Sequence, residues 1–433
     1  MKIKSMLCIA LISTALGLIS GTAEAQNNNN RSPYSRYGYG SLEGGYTAGS
    51  KAMGGLSVGL RDGMITNPSN PASYTAVDSI TFIFDLGLSG KYNMLQEGSN
   101  HDGRYLGGLD YFNILYRLHK RLAMSAGIAP LSTVGYNFGY TAPIQGAPAN
   151  DNGVVRTYSG SGSYNNLYLG LGANPWKGLH LGLNTAFVFG HTTQSRQLTY
   201  LSTGALNSSH NENLHLRGFK LTAGVQYEFK LDTTGTRSLV LGATFTPEYR
   251  YSSERTIVRQ DFSSSSSETM RNDTITNGRY TNPLQIGAGL SYRVANSWMV
   301  GADVRYTQWS KAQFEDLEAQ FKDQYRIAIG GEWTPNHLAR SPWQRATYRM
   351  GLTAGNSYLA VPLGNSGSFA GYREYGVSAG LSLPLVDRRS AFNLSFDYKY
   401  LKPQQNNMIS EHYLGATIGI LFNEGWFRKA RVN

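Results

Sequence analysis

From Ser79 onward the chain alternates between apolar and polar positions. Ile80, Phe82, Phe84, Leu86 and Leu88 share one face of an extended segment, with Thr81, Asp85, Gly87 and Ser89 opposite. Leu179, Leu181, Leu183, Phe187 and Phe189 repeat the pattern against His180, Gly182, Asn184 and Gly190, and Phe392, Leu394, Phe396, Tyr398 and Tyr400 against Asn393, Ser395, Asp397 and Lys399. A period of two marks strands with one apolar and one polar face. A soluble strand usually has about five or six residues, whereas a tilted membrane-crossing strand needs about 9 to 11, plus its rims. The alternation predicts fourteen long strands, near 79–94, 104–118, 121–141, 152–173, 178–202, 210–230, 237–258, 276–293, 297–309, 324–333, 345–357, 372–384, 390–401 and 410–422.

The connections also alternate. His119-Lys120, Asn174 to Lys177, Asp232 to Thr236, Ala295-Asn296 and Val386 to Arg389 are tight, whereas Arg259 to Thr274, with its serine run Ser263 to Ser267, is long and polar. Tight turns at one rim and long loops at the other are the bacterial outer-membrane barrel pattern. The even count puts both termini in the periplasm and the serine run outside the cell. Thr334 to Gln344 is long for the tight side, which leaves the count open by two strands. Trp176, Trp298, Trp309, Trp333, Trp343 and Trp426 fall near segment ends, as an interfacial girdle requires.

The chain opens differently. Lys2 and Lys4, an apolar run from Met6 to Ile19 and the small-residue site Ala23-Glu24-Ala25 read as a secretion signal over 1–25. The one cysteine, Cys8, lies inside it, so the mature chain is expected to hold no disulfide, thiolate metal site or Cys nucleophile. Residues 26–78 do not alternate. They carry an Asn tract, Tyr34 to Gly40, Met53-Gly54-Gly55-Leu56 and Asn67-Pro68-Ser69-Asn70-Pro71-Ala72. A Gly-rich stretch of this size needs a surface to pack on, and a barrel of this size has a lumen. It is expected to form a hatch, with 79–422 the barrel and 423–433 a periplasmic tail. Each proline fixes its own φ and extends the Asn before it, and an Asn side chain can bond backbone two residues on.

Composition narrows the class further. With 50 Gly, 29 Tyr and 15% charged residues, the chain is poor in helix formers, and a helical transporter is excluded. The net charge of +11 has no clustered basic footprint apart from Arg428-Lys429-Ala430-Arg431, so nucleic acid is not an expected partner. Basic surfaces facing anionic membrane lipid and lipopolysaccharide account for the charge.

These features resemble the FadL/TodX family of outer-membrane transporters. The resemblance rests on the Gly-rich N-terminal segment ending in Asn67-Pro68-Ser69-Asn70-Pro71-Ala72, on Pro130 within the third strand, and on Asn282-Pro283 before Gly287-Ala288-Gly289. It also rests on Asp303-Val304-Arg305-Tyr306-Thr307-Gln308-Trp309-Ser310. The Tyr-rich start and Asn423-Glu424-Gly425-Trp426-Phe427 look like versions from the Bacteroidota. The resemblance implies binding of long-chain fatty acids or other hydrophobic molecules, a hatch that shifts, and a kink in the third strand at Pro130 that opens a lateral exit. The sequence departs from the family in its doubled Asn-Pro motif and in lacking apolar loop helices.

No catalytic constellation stands out. Ser161 lacks the flanking glycines of a nucleophile elbow. His210 and His215, flanking Glu212, are placed at a loop–strand junction and read as solvated; no metal, cofactor or nucleotide site is expected. Asp303, Arg305, Arg326, Glu332 and Arg349 lie on polar faces and are expected in the lumen, because Lys or Arg facing lipid at the midplane costs about 2–4 kcal/mol. A salt-bridged lumen that joins barrel and hatch is the expectation for them. The leading functional reading is passive uptake of hydrophobic small molecules. The second is a non-transporting barrel subunit of an outer-membrane assembly or secretion complex. An apolar-lined pocket above the hatch favours the first; a filled, charged lumen favours the second.

Overall fold

The computed structural model describes residues 30–78, 81–143, 153–202, 205–263, 266–295, 297–364, 367–387, 389–406 and 408–425. The signal expected over 1–25 with Cys8, the end of the tail from Trp426, and the basic run Arg428 to Arg431 lie outside the described residues.

Fourteen antiparallel strands close into a barrel. They are β1 (Thr81–Glu97), β2 (Asn100–His119), β3 (Leu122–Ala142), β4 (Val154–Trp176), β5 (Leu179–Tyr200), β6 (Asn207–Lys230), β7 (Arg237–Thr246, resuming as Ser252–Phe262), β8 (Ser267–Thr276, resuming as Gln285–Val294), β9 (Trp298–Thr307), β10 (Gln324–Trp333), β11 (Thr347–Asn356), β12 (Tyr372–Pro384), β13 (Ala391–Pro403) and β14 (Ser410–Gly425). β1 pairs with β14 from Thr81↔Gly425 to Gln96↔Ser410, so no sheet edge is left at the junction. The breaks in β7 and β8 fall at Pro247 and Pro283, where no N–H is available for the ladder. There Tyr249–Arg250 pairs with Thr281–Asn282 as a separate ribbon.

Period two sorts the side chains. Leu181, Leu183, Phe219, Leu221, Val300, Val304, Ile327 and Ile329 are exposed on the outer wall, while Asn184, Gln226, Asp303 and Glu332 are buried inside. An outward apolar band with inward polar residues is the transmembrane barrel arrangement. Trp176, Trp298, Trp333 and Trp343 are exposed near the tight-turn rim. Trp309 departs from the expected girdle: it is 3% exposed and packs 4.5 Å from Tyr358 and 5.8 Å from Tyr39, ring to ring. The chain leaves β9 at Thr307 and turns inward, so the indole joins an aromatic cluster under the loops instead of the lipid interface. The long connection after β10 adds no strand; it holds one helical turn, Pro342–Arg345.

In the tight turn between β6 and β7, Asp232 accepts hydrogen bonds from the Thr236 and Thr234 hydroxyls and the Arg237 N–H. These donors pull its carboxyl down to about 2. A folded-state pKa below the unfolded one stabilises the turn above about pH 4, and that stabilisation is lost as pH falls through about 2. Carbonyl chemical shifts should give an Asp232 midpoint near 2, and a midpoint near 4 would refute the network.

Candidate functional site: the N-terminal segment and the lumen cavity

Residues 30–78 form short helical turns, among them Ala48–Lys51 and Pro71–Ala76, and a two-residue strand, Ser41–Leu42. Met53, Leu56, Val58 and Leu60 are each at most 1% exposed, and Asn70 is 0% exposed. An irregular backbone this deeply buried must find partners for its N–H and C=O groups. The inner wall supplies them from many directions. Asp303 of β9 accepts the N–H groups of Ser57, Val58 and Gly59 at 2.6, 2.6 and 3.0 Å. Gln226 of β6 donates to the carbonyls of Val58 and Leu60, Ser291 of β8 to Gly59, and Asn184 of β5 to Pro68. Ser378 of β12 accepts from Gly54 N–H, and Arg326 of β10 donates to Gly54 O at 2.9 Å. Thr66 donates to Asp85 of β1, and Tyr111 of β2 accepts from Ala48 N–H.

The Asn-Pro motif is part of this fit. The Asn67 side chain donates to Ser57 O and Leu60 O, and that of Asn70 to Val58 O at 2.7 Å. Asn70 Oδ1 accepts from Ala72 N–H, two residues on, and caps the turn that Pro71 begins. The carbonyl of Pro68 points to Asn184. Gly54 and Gly55 both take positive φ, +69° and +78°, where a side chain is strained.

Sequence reasoning missed what receives this segment. Inward glycines lie in cross-strand register: Gly172↔Gly182↔Gly224, Gly242↔Gly289, and Gly301↔Gly330↔Gly351. A Cβ at Gly182 would stand 2.2 Å from Pro71 C, one at Gly242 2.2 Å from Val58 O, and one at Gly351 2.1 Å from Met53 C. The available signal was glycine recurring on the polar face of many strands.

The predicted lumen charges divide. Glu332 and Arg349 pair at 3.0 Å, and Arg293, which the sequence reading did not single out, joins Glu332 at 2.9 Å to Asp62 at 2.8 Å. Asp303 holds backbone rather than a cation. Arg305 and Arg326 converge on the Tyr46 hydroxyl at 3.1 and 2.6 Å. His210, Glu212 and His215 are not at a loop–strand junction as expected: all three lie within β6, Glu212 grips Arg255 at 2.8 and 2.9 Å, and His215 stacks on His191.

Pro130 sits where two strands part. β2 and β3 pair only as far as Phe112↔Ile128. Beyond it β3 bulges between Pro130 and Ser132 against β4. The free edge of β3 is taken by the N-terminal segment: Ser41–Leu42 pairs with Thr133 and Ser132, and Glu43 N–H donates to Leu131 O at 2.8 Å. Arg31 reaches Asp102 on the β2 side.

A cavity of about 350 Å³ touches the segment, Pro130, Leu131 and Trp309. Ten charged residues line it, including Glu43, Lys51, Lys91 and Asp110, among apolar and aromatic groups such as Leu42, Leu131, Val377 and Trp309. Lys51 pairs with Asp110 at 2.5 Å and Lys91 with Glu43 at 3.3 Å. Burial opposes ionisation of Glu43, but Lys91, Lys399 and Lys51 outweigh it and hold its carboxyl below the usual range.

The barrel has known counterparts. The Pseudomonas putida toluene transporter TodX superposes with a TM-score of 0.64 at 16% identity, over 89% of this chain and 99% of that one. The Ralstonia pickettii toluene transporter TbuX gives 0.57 at 14%, over 87% and 97%, and a Pseudomonas aeruginosa FadL homologue gives 0.56 at 11%, over 88% and 98%. At such identities the likeness is one of fold. No curated protein matches the sequence. The family model named BamG matches residues 3–433, nearly the whole chain. The chain therefore belongs to the BamG family, built on the fourteen-stranded barrel fold that FadL-type channels share.

Proposed function

We propose that this chain is a non-transporting barrel subunit of an outer-membrane protein-assembly complex in a Gram-negative bacterium, with residues 26–78 acting as a fixed plug. The observation that carries the reading is the anchoring of the segment: its backbone is bonded to inward side chains of strands all round the barrel. A mobile hatch would have to break many of these bonds at once. Each net hydrogen bond is worth about 0.5–1.5 kcal/mol and those to charged groups about 1.5–3. Membership of the BamG family fits the same reading.

The second reading is passive uptake of hydrophobic molecules such as long-chain fatty acids. One observation favours it: Pro130 and Leu131, at the β2–β3 seam, also line the cavity, so a sideways route toward lipid starts there. Deleting the gene separates the two. Under the proposal, levels of other outer-membrane barrels fall, labelled fatty-acid uptake is unchanged, and the tagged protein co-purifies with partner subunits in mild detergent. Reduced uptake with normal barrel levels and no partners overturns it in favour of transport.

A further inference from the structure

Lys220, Arg305 and Arg326 share one side of the lumen cavity. Arg305 and Arg326 stand directly opposite each other across β9 and β10. Like charges in that position repel and destabilise a sheet. Both guanidinium groups lie near the Tyr46 ring, 5.3 and 4.8 Å from its centroid, and donate to its hydroxyl. Their other acceptors are Ser57 Oγ for Arg305 and Gly54 O for Arg326. None of these acceptors carries a charge. The Lys220 ammonium makes no hydrogen bond or ion pair among the described residues.

The other charged groups of the cavity are placed differently: Lys399 lies over the Tyr413 ring, 4.6 Å from its centroid, and the Glu374 and Asp397 carboxylates also line the cavity. Lys51, Lys91, Arg293 and Arg349 each have a carboxylate partner. Asp303, on the same strand as Arg305, spends its carboxylate on three backbone N–H groups. Around the cations the lining is hydroxyl and amide: Thr222 and Thr246, bonded to each other at 2.9 Å, with Thr244 and Gln285. Three fixed positive groups backed by such donors match a compact group with several acceptor oxygens and more than one negative charge. They offer an alkyl chain little to pack on.

We propose that this corner of the lumen binds a phosphate group, either the free ion or a phosphomonoester. The inference stands on the charge arrangement alone and does not depend on the assembly reading. Lys220 is the variant of choice, because it bonds nothing that holds the plug. Isothermal titration of the full-length protein in neutral detergent would use inorganic phosphate, glycerol 3-phosphate, acetate and dodecanoate. The expected result is saturable phosphate binding that weakens with added salt, is at least about tenfold weaker in Lys220→Met, and is retained within about threefold in Lys220→Arg. Heat-modifiable migration of each variant should match the parent. Glycerol 3-phosphate binding tighter than phosphate assigns the site to an esterified headgroup; the reverse order assigns it to the free ion. Absence of saturable phosphate binding, an unchanged affinity in Lys220→Met, or dodecanoate binding in preference to phosphate each overturns the proposal.

Discussion

Replacing Asp303 by Ala is expected to free residues 46–62 from the wall while leaving the barrel closed. The carboxylate collects three consecutive backbone N–H groups, and Asp303 is 3% exposed. Truncation would leave three buried donors without an acceptor and remove the charge that faces them. Breaking a buried charged network of this kind costs about 3–5 kcal/mol. The strand ladders do not depend on it, since Asp303 pairs through its backbone with Gly289 and Ala328. The measurement is limited trypsin digestion in detergent. Lys51 and Arg61 lie in the segment with side chains only 16% and 10% exposed and should resist cleavage in the parent. The variant should be cut there within minutes, while its barrel still migrates as the compact form unless boiled. Equal resistance in variant and parent would show that the carboxylate is not what holds the segment. Asp303→Asn, which keeps one acceptor oxygen, should fall between.

A larger effect is expected from Gly351→Val. The added Cβ alone would lie 2.1 Å from Met53 C and 2.2 Å from Gly54 N. Those are main-chain atoms, and Gly54 is itself held by Ser378 and Arg326. Overpacking a yielding core costs about 1–3 kcal/mol; this site has no flexible side chain to move aside. The segment must leave, or β11 must bend away from it. Gly90→Val on the outer face of β1 is the control, because the nearest atom to its added Cβ is 4.0 Å away. Gly351→Val should expose Lys51 and Arg61 to trypsin and lower the temperature at which the compact form is lost, and Gly90→Val should do neither. Identical behaviour of the two variants would mean that segment and wall are not in close contact.

Both variants lie on the wall side of one interface, and they differ in how far the sequence shows them. Asp303 was readable as a lumen charge because alternation along β9 places it opposite Val304 and Ala302. Its partners were not readable: a salt bridge was the natural expectation, and backbone N–H groups about 245 residues away took the place of a cation. Glu332 and Arg349 pair at 3.0 Å because adjacent strands put them directly opposite each other. Arg305 and Arg326 are opposite each other for the same reason, with no acid between them. Trp309 shows the limit of reading from segment ends, because a position just beyond a strand can turn either to the interface or to the interior.

By itself the sequence determined the period, the face each residue takes and a strand count of fourteen open by two. Those are local properties: successive side chains point to opposite sides of a strand, and lipid on one side with polar groups on the other fixes which set is which. The Asn-Pro corner was legible too, because proline geometry and Asn side-chain reach act within a few residues. Only the tertiary structure decided where residues 30–78 bond, which inward glycines receive them, and that Lys220, Arg305 and Arg326 line one cavity without an ion pair among the described residues. An irregular segment carries no period, and its backbone groups are satisfied by side chains from distant strands. Those contacts exist only once β1 and β14 have closed the wall around it.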